Sequence, residues 1–484
     1  MTEPDLLILG GGTAGLTAAV LAAGLGARAT LIERDRTGGD CLWTGCVPSK
    51  GLLEAAHVAH AMRTADRLGL DPVEQPVDLA RVLKRVRDVQ HTIEPHDSPE
   101  RLRDLGVEVV ADDAVFTAPR SVRLKESGRM LAPRAVLIAT GSEPVIPPIE
   151  GLAEAAPLTT DTVWGLETLP ARLVILGAGP IGCELGQAFS RLGSSVTLIE
   201  MDARVLPRED PEVGELIAGR LRDEGVDVRT DAKAIRVERT GDGWRMITAE
   251  AHGTGTVAFD QIIVATGRAP RTQNLGLDAA GVTTNRSGHV LTNRRLQTAA
   301  RGVYAAGDVN GHLPFTHVAA YQAGIATFNA LLLTRRPVTY RAVPWVTFTD
   351  PEVARVGLSE EQARRLWGDK TVIARSDYHE VDRALTAARG EGFAKLVGDP
   401  RGRLVGATVA APAAGEVIAE FAAIIARRGK VGDVYRTVHP YPTYALGAAM
   451  AGAERLREQW LNDRTRKVTR PLLSALRRAS AVSR

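Results

Sequence analysis

Apolar positions along this chain gather in short runs that break at glycine. Leu6 to Leu9 is an unbroken apolar run ending at Gly10-Gly11-Gly12-Thr13-Ala14-Gly15. A small-residue stretch, Leu16 to Leu25, follows, and a second run, Ala29 to Ile32, stops at Glu33. Short apolar runs bounded by turn residues predict buried strands, and the stretch between them is long enough for a helix. The order then repeats. Leu173 to Leu176 leads into Gly177-Ala178-Gly179-Pro180-Ile181-Gly182, a helical stretch covers Cys183 to Leu192, and Val196 to Ile199 ends at Glu200. From Leu79 to Leu105 a charged helical pattern is interrupted at Pro95 and Pro99. Beyond Pro344 the pattern changes to strand-like alternation at Trp345–Phe348, Gly392–Val397 and Leu404–Val409, with a helix over Ala414–Arg427. That grouping predicts a separate α+β domain.

Each repeated unit carries GxGxxG at its first turn and an acid about 20 residues on, the pattern of dinucleotide binding. Gly10, Gly12 and Gly15 let the backbone approach a pyrophosphate that rests on the helix N-terminus, and Glu33 can bond a ribose hydroxyl. Gly177, Gly179 and Gly182 with Glu200 repeat the set. Two fingerprints imply two dinucleotides, or one ancestral unit used twice. Matching Ala-Thr-Gly turns close the halves, Ala139-Thr140-Gly141 and Ala265-Thr266-Gly267, and Val303 to Asp308 puts another acid at a strand end.

Composition narrows the class. At 484 residues the chain predicts about three domains. Its 44% hydrophobic content excludes disordered and collagen-like classes, and three cysteines cannot form an extracellular disulfide framework. The formal charge of +3 is unevenly spread. Nine Lys or Arg against two acids fall between Arg455 and Arg484, leaving 51 basic and 55 acidic groups before them. A mildly acidic body argues against a nucleic-acid partner. No apolar run reaches the ~18 residues of a spanning helix, and the N-terminus does not read as a signal peptide. A cytoplasmic enzyme is expected.

The sharpest local signal is Gly38-Gly39-Asp40-Cys41-Leu42-Trp43-Thr44-Gly45-Cys46-Val47-Pro48-Ser49-Lys50. A helix starting near Pro48 places Cys46 at its positive end, where a thiolate is stabilised. The spacing of Cys41 and Cys46 permits the Cα separation of about 5.5–6 Å that a disulfide prefers. Two unrelated buried cysteines are the plainer alternative. Two thiolates without a nearby Cys/His pair make half a zinc site, so no bound metal is expected. Cys183, in the second glycine-rich helix, reads as packing.

Taken in order, the first fingerprint, GGxCLxxGCxPSK, the second fingerprint with Glu184, AxGD at Asp308 and the C-terminal domain resemble the pyridine nucleotide–disulfide oxidoreductases, in particular the mercuric reductase and dihydrolipoamide dehydrogenase branch. The resemblance covers about residues 5–455. It implies an α/β protein with two Rossmann-like dinucleotide-binding domains plus a C-terminal α+β dimerisation domain. The implied boundaries are 1–147 with 271–340 for FAD, 148–270 for NAD(P), 341–455 for the interface, and 456–484 as a basic tail. It further implies a homodimer in which Cys46 is the charge-transfer thiol and Cys41 the interchange thiol, with Lys50 and Glu184 as the ion pair beside the flavin. FAD would be held around Gly10, Gly12, Thr13, Ala14, Gly15, Glu33, Arg34, Gly39, Asp40, Cys41, Lys50, Ala114, Thr140, Gly141, Asp308 and Thr316. The nicotinamide dinucleotide would be held around Gly177, Gly179, Pro180, Ile181, Gly182, Glu200 and Gly267. Electrons would pass from nicotinamide through FAD to a Cys41–Cys46 disulfide and on to an acceptor.

The C-terminal motif departs from the disulfide reductases of this family. The chain reads His439-Pro440-Tyr441-Pro442-Thr443-Tyr444-Ala445-Leu446, with Tyr441 where the family's catalytic His stands and Leu446 where its Glu stands. A Tyr with an ordinary pKa of about 10 does not shuttle protons at neutral pH. His439 is the alternative base. Pro440-Tyr441 matches mercuric reductases, whose soft Hg(II) is captured by thiolates, yet no cysteine follows Cys183. The expected acceptor is therefore a metal ion or a small molecule such as a quinone, with dihydrolipoamide dehydrogenase or another disulfide reductase as the alternative. A redox-sensing flavoprotein with little turnover is the alternative from another class. Glu200 favours NADH, while Arg204 and Arg208 leave NADPH open. Trp460, Leu461, Val468, Leu472, Leu473 and Leu476 among the basic residues of the tail suggest either a packed terminal helix or weak contact with a membrane surface.

Overall fold

A computed structural model describes residues 3–251, 253–332, 334–461 and 463–482. The chain divides into two compact units. One comprises Met1–Thr64, Pro72–Val205 and Leu221–Thr339, and the other Ala65–Asp71, Leu206–Arg220 and Tyr340–Arg484.

The first unit is built on two parallel sheets of the Rossmann type. In one, Leu6–Leu9 lies between Ala29–Glu33 and Ala135–Ile138, with Glu108–Ala111 and Val303–Ala305 at the edges. In the other, Arg172–Leu176 lies between Ser195–Ile199 and Gln261–Val264, with Asp227–Arg229 outside. The central strands are buried but for half-buried Arg172 at one end, which is why they read as solid apolar runs. The first helix spans Thr13–Gly24 and buries Ala14, Gly15, Ala18, Ala19 and Ala22. It starts before Leu16 because Gly15 already belongs to its first turn. A Cβ on Gly15 would lie 1.8 Å from the Gly10 carbonyl oxygen, and one on Gly182 would lie 1.8 Å from that of Gly177. Only glycine fits either place. The second helix likewise begins early, at Pro180, whose fixed φ suits the first helical position. Two antiparallel meanders accompany the sheets, Ala114–Ala118 to Met130–Leu131 and Lys233–Thr240 to Gly253–Phe259.

The second unit is α+β. Its antiparallel sheet runs Pro344–Thr347, Glu352–Gly357, Leu404–Ala411, Phe393–Gly398, Val372–Asp377. The helix Ala414–Ala426 packs on it through Ile418, Phe421 and Ile425. Lys395, buried in the sheet, is balanced by Asp210 at 2.7 Å, by Glu360 at 3.1 Å and by Glu212. Arg355 pairs with Glu209 at 2.8 Å. These pairs explain why Leu206–Arg220 belongs with this unit: a buried ammonium needs paired carboxylates. Among the described residues no helix is long and apolar enough to cross a membrane.

Candidate functional site

Both strand-end acids clamp the loop that precedes them. Glu33 accepts the Gly11 N–H at 2.6 Å and the Asp35 N–H at 2.9 Å. Glu200 accepts the Ala178 N–H at 2.7 Å and the Asp202 N–H at 2.9 Å. Each fingerprint is thus held in shape by its own acid. The first loop also meets the Gly38–Lys50 segment closely: a Cβ on Gly39, where φ is +57°, would come within 2.6 Å of the Gly12 Cα. This glycine-walled cradle at a strand end and helix start fits the pyrophosphate of a dinucleotide.

Cys41 sits on the short helix Gly39–Trp43, and Cys46 is the first residue of the helix Cys46–Arg63. Both thiols are free, Cys46 exposed and Cys41 half-buried. Cys46 Sγ lies 3.2 Å from Thr316 Oγ1, at the start of the helix Thr316–Leu332. One turn beyond Cys46, Lys50 Nζ donates to Glu184 Oε2 at 2.8 Å. The two thiols are driven apart electrostatically. A hydrogen bond from Cys41, another from Thr316 and the charge of Lys50 lower the Cys46 pKa to about 6, against burial. Donating to Cys46, burial, and the Cys46 charge raise that of Cys41 far above its ordinary value. In the dithiol state Cys46 is therefore the thiolate and Cys41 the thiol.

Several residues that the sequence reading passed over hold this segment. Gln90 donates to the Leu42 and Trp43 carbonyls at 2.9 Å each. Trp164 Nε1 donates to the Thr44 carbonyl at 2.9 Å, and Arg268 and Arg271 pair with Asp40. Arg268 also donates to Ser142 Oγ at 2.8 Å, and Ser142 Oγ donates to Asp308 at 2.7 Å. Arg268 follows directly on Gly267, the one sequence cue to this chain of contacts. Asp97, whose pKa is raised by burial, adds its charge to those acting on Cys41.

The structure brings Cys41, Cys46, Lys50, Glu184 and Thr316 together in the first unit. Thr140 Oγ1 donates to the Arg271 carbonyl at 2.7 Å. Gly141, Gly177, Gly267 and Gly307 adopt positive φ at the turns that close the strands. Ala14 and Ala114 are buried, Ala114 at the start of a strand in the core, while Arg34 and Ile181 are exposed. Tyr441 and His439 belong to the second unit. Tyr441 Oη donates to Asp382 Oδ2 at 2.8 Å, which raises the phenol pKa. His439 is turned into its own unit: its side chain is 6% exposed and Nε2 lies 2.8 Å from Glu420 Oε2. Leu446 packs against the core of the same unit. Among the described residues no group of three or more His, Cys, Asp or Glu side chains is set to hold a metal ion.

Residues 4–323 match the family model described as pyridine nucleotide-disulphide oxidoreductase, and residues 343–450 match its dimerisation domain. The mercuric reductase of Lysinibacillus sphaericus is 35% identical over 458 residues, covering 94% of this chain and 83% of that protein. The dihydrolipoyl dehydrogenase of Thermus scotoductus is 36% identical over 464 residues, 95% and 98% of the two chains. Among solved structures, LpdA of Mycobacterium tuberculosis superposes with a TM-score of 0.84 at 29% identity, over 93% of this chain and 99% of that one. The HOCl-induced flavoprotein disulfide reductase RclA of Escherichia coli does so with 0.81 at 28% identity, over 92% and 98%.

Proposed function

We propose a function from one premise: the chain belongs to the pyridine nucleotide-disulphide oxidoreductase family. Members use FAD and NAD(P)H, and this chain is an oxidoreductase of that kind. Within it, residues 1–147 with 271–340 hold FAD, 148–270 hold the nicotinamide dinucleotide, and 341–455 join two copies into a homodimer. Bound FAD supplies the two-electron transfer from NAD(P)H to the thiols; the chain positions, ionises and protects them. Cys46 is kept as the thiolate and Cys41 as the outer thiol that meets the acceptor. Glu200, at the second strand end, favours NADH.

The acceptor is a soft metal ion, captured by Cys41 and Cys46. The observation that carries this reading is the orientation of the C-terminal motif. A disulfide acceptor needs a proton delivered to its leaving thiolate. Tyr441 donates to Asp382 with its pKa raised, Leu446 is apolar and packed, and His439 is folded inward onto Glu420. Capture of a soft cation by two sulfurs needs no such base. Disulfide reduction is the second reading, favoured by the full-length likeness to a dihydrolipoyl dehydrogenase. One anaerobic experiment separates them. Purified protein is reduced with NADH, and re-oxidation is followed with Hg(II), Cu(II), lipoamide and a water-soluble quinone. Faster turnover with the metal ions, lost in Cys41→Ser, supports the proposal. Turnover with lipoamide alone reverses the choice, quinone turnover that survives Cys41→Ser replaces it with a direct flavin route, and no turnover at all points to a redox sensor.

A further inference from the structure

Beyond residue 450, where the match to the dimerisation domain ends, the chain forms a helix with no counterpart in the chemistry above. We propose that this helix, Asp463–Val482, docks on the surface of an anionic lipid bilayer.

Its two faces differ in kind. Val468 and Leu472 lie one turn apart on one face, 72% and 58% exposed, with Leu473 beside them at 48%. Leu476 continues the same stripe. Arg466, Lys467, Arg470, Arg477 and Arg478 occupy the rest of the circumference and are exposed. The helix holds a single acid, Asp463, which lies in its first turn and pairs with Arg466 at 3.4 Å. A strongly cationic face beside a narrow leucine stripe is the arrangement of a helix that lies in the headgroup plane, apolar side down. Charge complementarity chooses the occupant: anionic headgroups neutralise the arginines while acyl chains cover the leucines. A nucleic acid would satisfy only the cations. Trp460, at the entrance to the segment, has a side chain outside the described residues and plays no part in this assignment.

The test is co-sedimentation of the full-length protein with phosphatidylcholine vesicles containing about 30 mol% phosphatidylglycerol, against pure phosphatidylcholine. The partition coefficient should be at least roughly tenfold higher on the anionic vesicles and should fall as salt is added. Leu472→Asp with Leu473→Asp should lower it roughly tenfold, and so should Arg470→Gln with Arg477→Gln and Arg478→Gln, with turnover in solution unchanged in both. Equal recovery on the two vesicle types, or leucine variants that sediment like the parent, overturns the proposal. So does a leucine variant that changes the mass measured by light scattering, because the stripe then belongs to a second copy. Retention on duplex DNA that is lost in the arginine variant and kept in the leucine variant also overturns it.

Discussion

The ionisation of Cys46 is set by few enough contacts to be predicted in numbers. Thr316→Val keeps the shape of the side chain and removes the hydroxyl 3.2 Å from Cys46 Sγ. A hydrogen bond to a charged acceptor contributes about 1.5–3 kcal/mol. Sulfur is a weak acceptor, so the lower end applies, and at about 1.36 kcal/mol per pKa unit the loss is ~1 unit. The thiolate is the nucleophile, so alkylation by iodoacetamide rises with pH through the pKa and then levels off. In the parent that midpoint should lie at about 6, and in Thr316→Val near ~7. The plateau rate should increase about threefold, because a more basic thiolate attacks faster. In protein kept reduced, the lower-pH step reports Cys46, since Cys183 is buried and donating to Cys46 raises the Cys41 pKa. Thr316→Ser retains the hydroxyl and should keep the parent midpoint. Cys41→Ala removes the larger stabilising contact and should move the midpoint further than Thr316→Val does. A Thr316→Val midpoint still at 6, or a larger shift than that of Cys41→Ala, would refute the ordering of these contacts.

Gly15→Ala and Gly182→Ala each force a methyl group to 1.8 Å from a loop carbonyl, but in different sheets. The first should lose FAD on gel filtration, seen in the ratio of visible to ultraviolet absorbance. The second should keep its flavin and bind NADH at least roughly tenfold more weakly. Arg191→Met leaves Glu224 buried without the guanidinium that pairs with it at 2.7 Å. The expected loss is about 3–5 kcal/mol in urea unfolding, partly recovered by adding Glu224→Met. A single variant as stable as the parent would show that the pair contributes little.

Both fingerprints and the two-cysteine segment are legible in the sequence because each depends on local contacts. Gly15 and Gly182 are forced by carbonyls five residues away, and Cys46 by the helix it opens. What escapes the sequence is set across long separations. The buried ammonium of Lys395 draws in Asp210 and Glu212 from more than 180 residues upstream, and so takes Leu206–Arg220 into the second unit. No pattern within that segment announces it. The meander Lys233–Thr240 to Gly253–Phe259 escapes for another reason: strand Lys233–Thr240 buries only Ala234 and Val237, too sparse a pattern to stand out. His439 illustrates the remaining gap. Two prolines fall in the next three residues, Pro440 and Pro442, and the chain bends at Tyr441 and Pro442, but it is Glu420, 19 residues upstream, that fixes where the imidazole points.

Glu200 shows how a legible residue can carry more than its motif suggests. Read as a motif, its carboxylate selects NADH by bonding a ribose hydroxyl and repelling a phosphate. In the structure it also holds the Ala178 and Asp202 N–H groups, just as Glu33 holds those of Gly11 and Asp35. The two roles predict different outcomes for Glu200→Gln. If the acid only repelled phosphate, the variant would accept NADPH more readily and keep its KM for NADH. If it also clamps the loop, one of the two N–H donors now faces an amide N–H₂ and is left unsatisfied in a buried place, at about 1–3 kcal/mol. The KM for both coenzymes should then rise, by roughly tenfold for NADH and less for NADPH, which gains from the lost charge. Steady-state KM values with one acceptor decide the matter. A lower KM for NADPH beside an unchanged KM for NADH would show that the backbone contacts are incidental to coenzyme binding.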